Sequence, residues 1–168
     1  KIGERLGLIK QEILIPKKNT LVKLNVNIPL DHYEKVKKQL FLYGAGEQGN
    51  YKNSSFTMDG SGQFSGNEKS NPFIGVKKKN IKVDQKQLNL IFQKHKKSKI
   101  LKKLKEVHPY EQISYEVYTI NNVNEEIGLG SIGDLKNSMN SKEFLRFLKN
   151  RMNTKLIRHS NLIFKNIK

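Results

Sequence analysis

At 168 residues the chain has room for one ordinary domain or two small ones. Its 32 basic and 15 acidic side chains leave a net charge of +17, and the absence of cysteine excludes disulfides, thiolate metal sites and cysteine nucleophiles. No apolar run approaches the roughly 18 residues of a membrane helix, so no membrane partner is expected.

Residues 1–8 (KIGERLGL) read as the end of a helix, and 11–16 lead to Pro16 and a polar turn. Val22, Leu24, Val26 and Ile28 then alternate as one face of a strand that Pro29 ends. Asp31 with Glu34 has capping-box spacing for a helix whose stripe is Tyr33, Val36, Leu40 and Tyr43, stopped by Gly44.

From 44 to 75 the chain is rich in Gly, Asn and Ser, with expected strand pieces at 54–58 and 63–64 and a Gly turn or bulge between them. Another strand is expected at 87–92. A helix follows at 98–107, burying Ile100, Leu101, Leu104 and Val107 and presenting most of its lysines to water. A strand over 112–120 completes the order strand, helix, strand, strand, helix, strand.

That order predicts an α+β, ferredoxin-like βαββαβ domain over 21–120, with a core containing Val26, Val36, Leu40, Ile91, Leu104, Ile113 and Tyr115. Residues 1–20 and 121–168 read as partial flanking α/β elements, the two ends of a host into which this domain is inserted. The second end comprises a polar linker at 121–126, the stretch GLGSIGDL, a helix capped by Asn140 and Glu143, a short strand at 155–158 and the start of another within 161–168. With no initiator Met, the chain begins inside a longer protein, or a Met or tag was removed.

Composition narrows the function only partly. A surplus of cations fits nucleic acid. Yet 28 of the basic residues are Lys and 4 are Arg, with 18 Asn and 16 Ile beside them, a bias that AT-rich codons alone would produce. A surface built for phosphate and guanine favours the Arg fork.

Gly44-Ala-Gly-Glu-Gln-Gly49 and Gly128-Leu-Gly-Ser-Ile-Gly133 both match GxGxxG, but neither has the strand-then-helix setting of a dinucleotide site, so both read as backbone turns. His32, His95, His108 and His159 have no metal-ligand spacing; His32 and His95 are expected to face solvent, and His159 to lie at a strand end. In EVHPYEQISYEV, Pro109 ends the helix at His108, where the imidazole can meet the last carbonyls and the dipole. Tyr110 buries a ring and keeps a bonded hydroxyl. Glu111 starts the strand and is free to pair with a lysine or another subunit. These four residues are sufficient for a structural corner without chemistry.

Taken in order, "GAGEQGNYKNSSF", "GSGQF", "NPFIG", "HPYEQISYEVYTI" and "GLGSIGDL" resemble the successive signatures of the NGG-one-interacting-factor-three family, also described as GTP cyclohydrolase I type two homologues. The resemblance runs from Leu6-Gly7-Leu8 to Ile157-Arg158-His159-Ser160. It implies a PII/CutA-like inserted domain acting as lid and assembly element in a protein that self-associates into trimers and hexamers; the absence of cysteine fits a reducing, cytoplasmic setting.

The resemblance further implies two divalent metal ions (zinc, iron or manganese) in the full-length protein, held by host-domain residues with no counterpart here. No catalytic or metal-binding residue is therefore assigned to this chain. Turn and interface roles fall to Gly44, Gly46, Gly49, Asn50, Tyr51, Pro72, Phe73, Gly75, His108, Pro109, Tyr110 and Glu111. The alternatives are a metal-dependent hydrolase acting on a nucleotide and a basic nucleic-acid-binding module. The chain departs from the family pattern where Cys-Ser-Phe becomes Ser54-Ser55-Phe56, where a second Glu becomes Gln112, and where Arg-Ile-Glu becomes Gln87-Leu88-Asn89.

Overall fold

In chain order the elements are α1 (Ile2–Arg5), β1 (Leu8–Pro16), β2 (Leu21–Pro29), α2 (Leu30–Leu42), β3 (Phe56–Phe64), β4 (Ile81–Gln93), a 3-10 turn (Lys94–Lys96), α3 (Lys97–Val107), β5 (Tyr115–Ile120), β6 (Gly128–Leu135) and α4 (Ser141–Met152). The computed structural model describes residues 2–71, 73–162 and 166–168. The chain divides into two units, one from Lys18 to Val123 and one combining the residues up to Lys17 with those from Asn124 onward.

In the first unit, alternation decides which side of each strand is dry. Val22, Leu24, Val26 and Ile28 of β2 are all buried, as are Leu88, Leu90 and Phe92 of β4. The strands form one antiparallel sheet in the order β3-β4-β2-β5, with helices following the first and third strands, which is the ferredoxin-like α+β arrangement. Tyr33, Val36 and Leu40 of α2 and Ile100 and Leu104 of α3 close the core against that face. Removing these side chains from water, at about 25 cal/mol per Å² of apolar area, is the main force holding the layers together.

Several elements differ from the expectation. The first long helix begins at Leu30 after Pro29, with no side-chain cap, so Asp31 lies in the first turn and is not the cap. Residues 56–64 form one unbroken strand through Gly60 and Gly62, because every position from Phe56 to Phe64 is paired with β4. At Gly62 a Cβ would lie 2.7 Å from the Gln85 side-chain oxygen, so the glycine makes room for Gln85. Ile91 faces the uncovered side of the sheet opposite Lys23 and is outside the core, whereas Ile113 and Tyr115 pack partly buried against it.

The second unit contains an antiparallel ribbon of β1 and β6, with Leu8 paired to Leu135 and Pro16 to Gly128. GLGSIGDL is thus a strand and not a pair of turns, although Gly130 does have a positive φ of 70°. The strand expected at 155–158 is absent; those residues are irregular. Of the piece expected within 161–168, residues 163–165 lie outside the described set, and Ile167 forms a single antiparallel bridge to Met139.

α4 is capped as its sequence predicts: Asn140 accepts from Glu143 N–H at 3.0 Å, and the Glu143 carboxylate accepts from Asn140 N–H at 3.1 Å. Among the described residues of this unit, Leu135 is the buried hydrophobic residue, while Leu14, Ile15, Leu129 and Leu156 are each more than half exposed. No described helix is long and apolar enough to cross a membrane.

A candidate ligand cleft at the helix–strand corner

The twelve residues singled out in the sequence fall into two groups within the Lys18–Val123 unit, with Pro72 outside the described residues. The first group is the glycine loop after α2. Gly44, Gly46 and Gly49 have φ values of 89°, 74° and 52°, a region that side chains beyond glycine adopt at a cost. Gly46 N–H donates to the Ile91 carbonyl at 2.9 Å, and Ser54 N–H donates to the Gly46 carbonyl at 2.9 Å, which binds the loop to β4. Gln48 and Tyr51 form a small antiparallel bridge around Gly49 and Asn50, leaving the Tyr51 ring 76% exposed.

The second group is the corner after α3. Pro109 holds His108 in an extended conformation, and His108 N–H donates to Leu104 O at 3.0 Å as the helix ends. The imidazole does not turn to the last carbonyls of its own helix. Its Nε2 lies 3.0 Å from the carbonyl oxygen of Asn27 on β2, and its Nδ1 accepts the Tyr110 N–H at 3.1 Å. This arrangement places the ring proton on Nε2. Burial pushes the His108 pKa below its ordinary 6.5, nearby His32 adds to the shift, and the Asn27 carbonyl opposes it.

Around this corner a cleft of about 640 Å³ opens, a volume within the range of small-molecule sites. Phe64, Phe73 and Tyr110 supply aromatic walls, with ring centroids 5.8 Å apart for Phe64 and Tyr110 and 6.3 Å for Phe73 and Tyr110. Asn27, Gln85, Gln112 and Ser114 supply neutral donors and acceptors, and the Gln85 amide nitrogen is 3.4 Å from the Tyr110 hydroxyl.

Glu111 does not begin a strand, since β5 starts at Tyr115; its carboxylate instead accepts the Asn71 N–H at 3.1 Å and ties the 65–80 loop to the corner. Gly75 has a φ of 86°, and a Cβ there would meet Ile81 at 2.5 Å. His32 is not freely solvent-facing. Its ring meets Phe73 edge-on at 5.2 Å, and its Nδ1 is buried without a hydrogen-bond partner.

Chemically, the cleft can hold a planar ring between aromatic faces while amides read its edge. Among the described residues its lining contains no nucleophile paired with a base. His95 and His159 are exposed and do not line it. No three His, Asp or Glu side chains gather in a metal-binding arrangement among the described residues, so the residues present do not fit a two-metal centre.

Asn27, Phe64 and Gln85 were not legible as site residues. They come from three strands, and the only local signal was the side-chain-free Gly62 beside Gln85. The lysines of α3 and of the turn before it are partly used internally: Lys99 and Lys103 lie over the Tyr43 ring, 5.0 and 4.8 Å from its centre, and Lys96 pairs with Glu47.

No family model matches the sequence. The chain is 33% identical over 94% of its length to a GTP cyclohydrolase 1 type 2 homolog of Bacillus subtilis, of which it spans 42%. It is 36% identical over 88% of its length to the corresponding protein of Halalkalibacterium halodurans, of which it spans 40%. The crystal structure of a Bacillus cereus protein related to NIF3 superposes with a TM-score of 0.78 at 32% identity, covering 92% of this chain and 40% of that one. The chain therefore spans about two fifths of the length of the curated relatives it matches.

Proposed function

This chain is homologous over most of its length to the GTP cyclohydrolase 1 type 2 homologs of the NIF3 family, and from that premise we propose that it serves such a protein as a non-catalytic lid and assembly element. The observation that carries this reading is the pairing of Pro16 with Gly128 at one end of the β1–β6 ribbon. The backbone leaves one strand of the ribbon and rejoins the other directly across from it. The whole Lys18–Val123 unit is thus the excursion between two adjacent strand ends.

A two-stranded ribbon is marginal by itself, and the exposed Leu14, Ile15 and Leu129 are consistent with a host layer completed elsewhere. In this reading the two divalent ions belong to host segments outside these residues, and any nucleotide hydrolysis is done there. Self-association, as trimers that pair into hexamers, is supported by the large rings left exposed on loops, Tyr51 at 76% and Phe73 at 54%.

Sedimentation of the 168-residue chain, with metal analysis of the same sample, tests this. A trimeric or larger species without stoichiometric metal is expected, and Tyr51→Ser with Phe73→Ser should shift it toward monomer. A strict monomer at high concentration would remove the assembly role. Stoichiometric zinc, iron or manganese with GTP turnover would favour a self-sufficient hydrolase.

A further inference from the structure

Two hydrogen-bond relays end on hydroxyls of the aromatic cleft. The Gln87 side-chain amide donates to Asn27 Oδ1 at 3.2 Å, and Asn27 Nδ2 donates in turn to the Ser114 hydroxyl at 3.3 Å. Separately, Gln85 Nε2 donates to the Tyr110 hydroxyl at 3.4 Å. Each hydroxyl thus accepts an amide N–H and keeps its own proton to give. Among the described residues no acceptor receives either proton, and Tyr110 and Ser114 both line the cleft.

The walls suit a flat guest. Phe64 and Phe73 meet the Tyr110 ring at 61° and 51°, so neither pair is stacked and ring surface stays uncovered. Gln85 is almost fully buried and fills the space that Gly62 leaves. The charged residues on the lining, Lys69 and Glu111, are both exposed, and Glu111 is engaged by the Asn71 N–H. The corner is held in place beforehand: His108 ties Tyr110 to β2, and Asn27 N–H donates to Ser114 O at 3.1 Å.

We propose that this cleft binds an uncharged, planar heteroaromatic ring that presents carbonyl or ring-nitrogen acceptors on one edge. The aromatic walls take the ring, the Tyr110 and Ser114 hydroxyls donate to its edge, and Gln85 and Asn27 orient those hydroxyls. A saturated ring would lose the aromatic contact, and a charged one would meet a neutral floor without a partner. All of these residues belong to one chain, so the site stands whether or not the chain assembles.

The test follows the Tyr110 backbone amide and the Gln85 side-chain amide by heteronuclear NMR in the full chain, titrated separately with nicotinamide, hypoxanthine and cyclohexanecarboxamide. Saturable shifts at both signals are expected with nicotinamide or hypoxanthine. Cyclohexanecarboxamide, which has an amide but no flat ring, should bind at least about tenfold more weakly. Tyr110→Phe and Ser114→Ala each remove one donor and should each weaken binding about tenfold. Lys102→Gln on the surface of α3 should leave it unchanged. Thermal melts of each variant confirm folding. No saturation with either flat probe, equal binding of the saturated one, or an affinity unchanged in Tyr110→Phe or Ser114→Ala would overturn the proposal.

Discussion

Asn27 and His108 stand 81 residues apart and are joined through the Asn27 carbonyl and His108 Nε2 at 3.0 Å. Because Tyr110 N–H occupies Nδ1, a second ring proton would set two donors against each other. His108 is buried, and its pKa lies below the ordinary 6.5 chiefly for that reason. A histidine depressed in the fold stabilises it above the unfolded pKa and loses that contribution as pH falls toward the folded one. Urea midpoints should therefore hold at mildly alkaline pH and drop once pH passes below about 6.5. His108→Gln should flatten the curve in that window; an unchanged slope would show that His108 does not govern it.

Gly46→Ala should destabilise the glycine loop. The new Cβ would lie 2.5 Å from Ser54 O and 2.9 Å from Ser54 N, both backbone atoms, at a φ of 74°. Strain of this kind costs on the order of 1–3 kcal/mol. Chemical denaturation should read that loss. Gly49→Ala, with φ 52° and open space around it, should cost less.

Leu24→Ala removes a fully buried side chain from the centre of the core and should cost roughly 2–5 kcal/mol. Ile91→Ala, on the uncovered face, should cost clearly less than that. Equal losses in urea unfolding would place Ile91 in the core after all.

Asn140→Ala removes half of the capping box on α4 and should cost roughly 0.5–2 kcal/mol. Hydrogen exchange at the Glu143 amide, which donates to the Asn140 side chain, should accelerate. Unchanged protection there would deny the cap.

How much of this was legible beforehand depends on whether a feature is local. The alternation from Val22 to Ile28, the stripe Ile100–Leu104 and the Asn140–Glu143 pair were readable, because a period of two or of three to four reports which side of an element is dry. The alternation Leu88, Leu90, Phe92 also carried the information that Ile91 points the other way, although the apolar run around it concealed this.

Pairing was not legible. Gly60-Ser61-Gly62 has the composition of a turn, yet nine consecutive residues of β3 find partners on β4, and GLGSIGDL becomes a strand because β1 lies beside it. Backbone hydrogen bonds supplied by a neighbour outweigh weak local preference. Sequence alone determined the βαββαβ order, the buried face of β2 and the helix end at His108. Tertiary structure decided the rest: the Asn27–His108 bond and the ring of Phe64, Phe73 and Tyr110. Each of these joins residues whose separation along the chain carries no trace of their meeting, because the shared core brings them together and local periodicity does not.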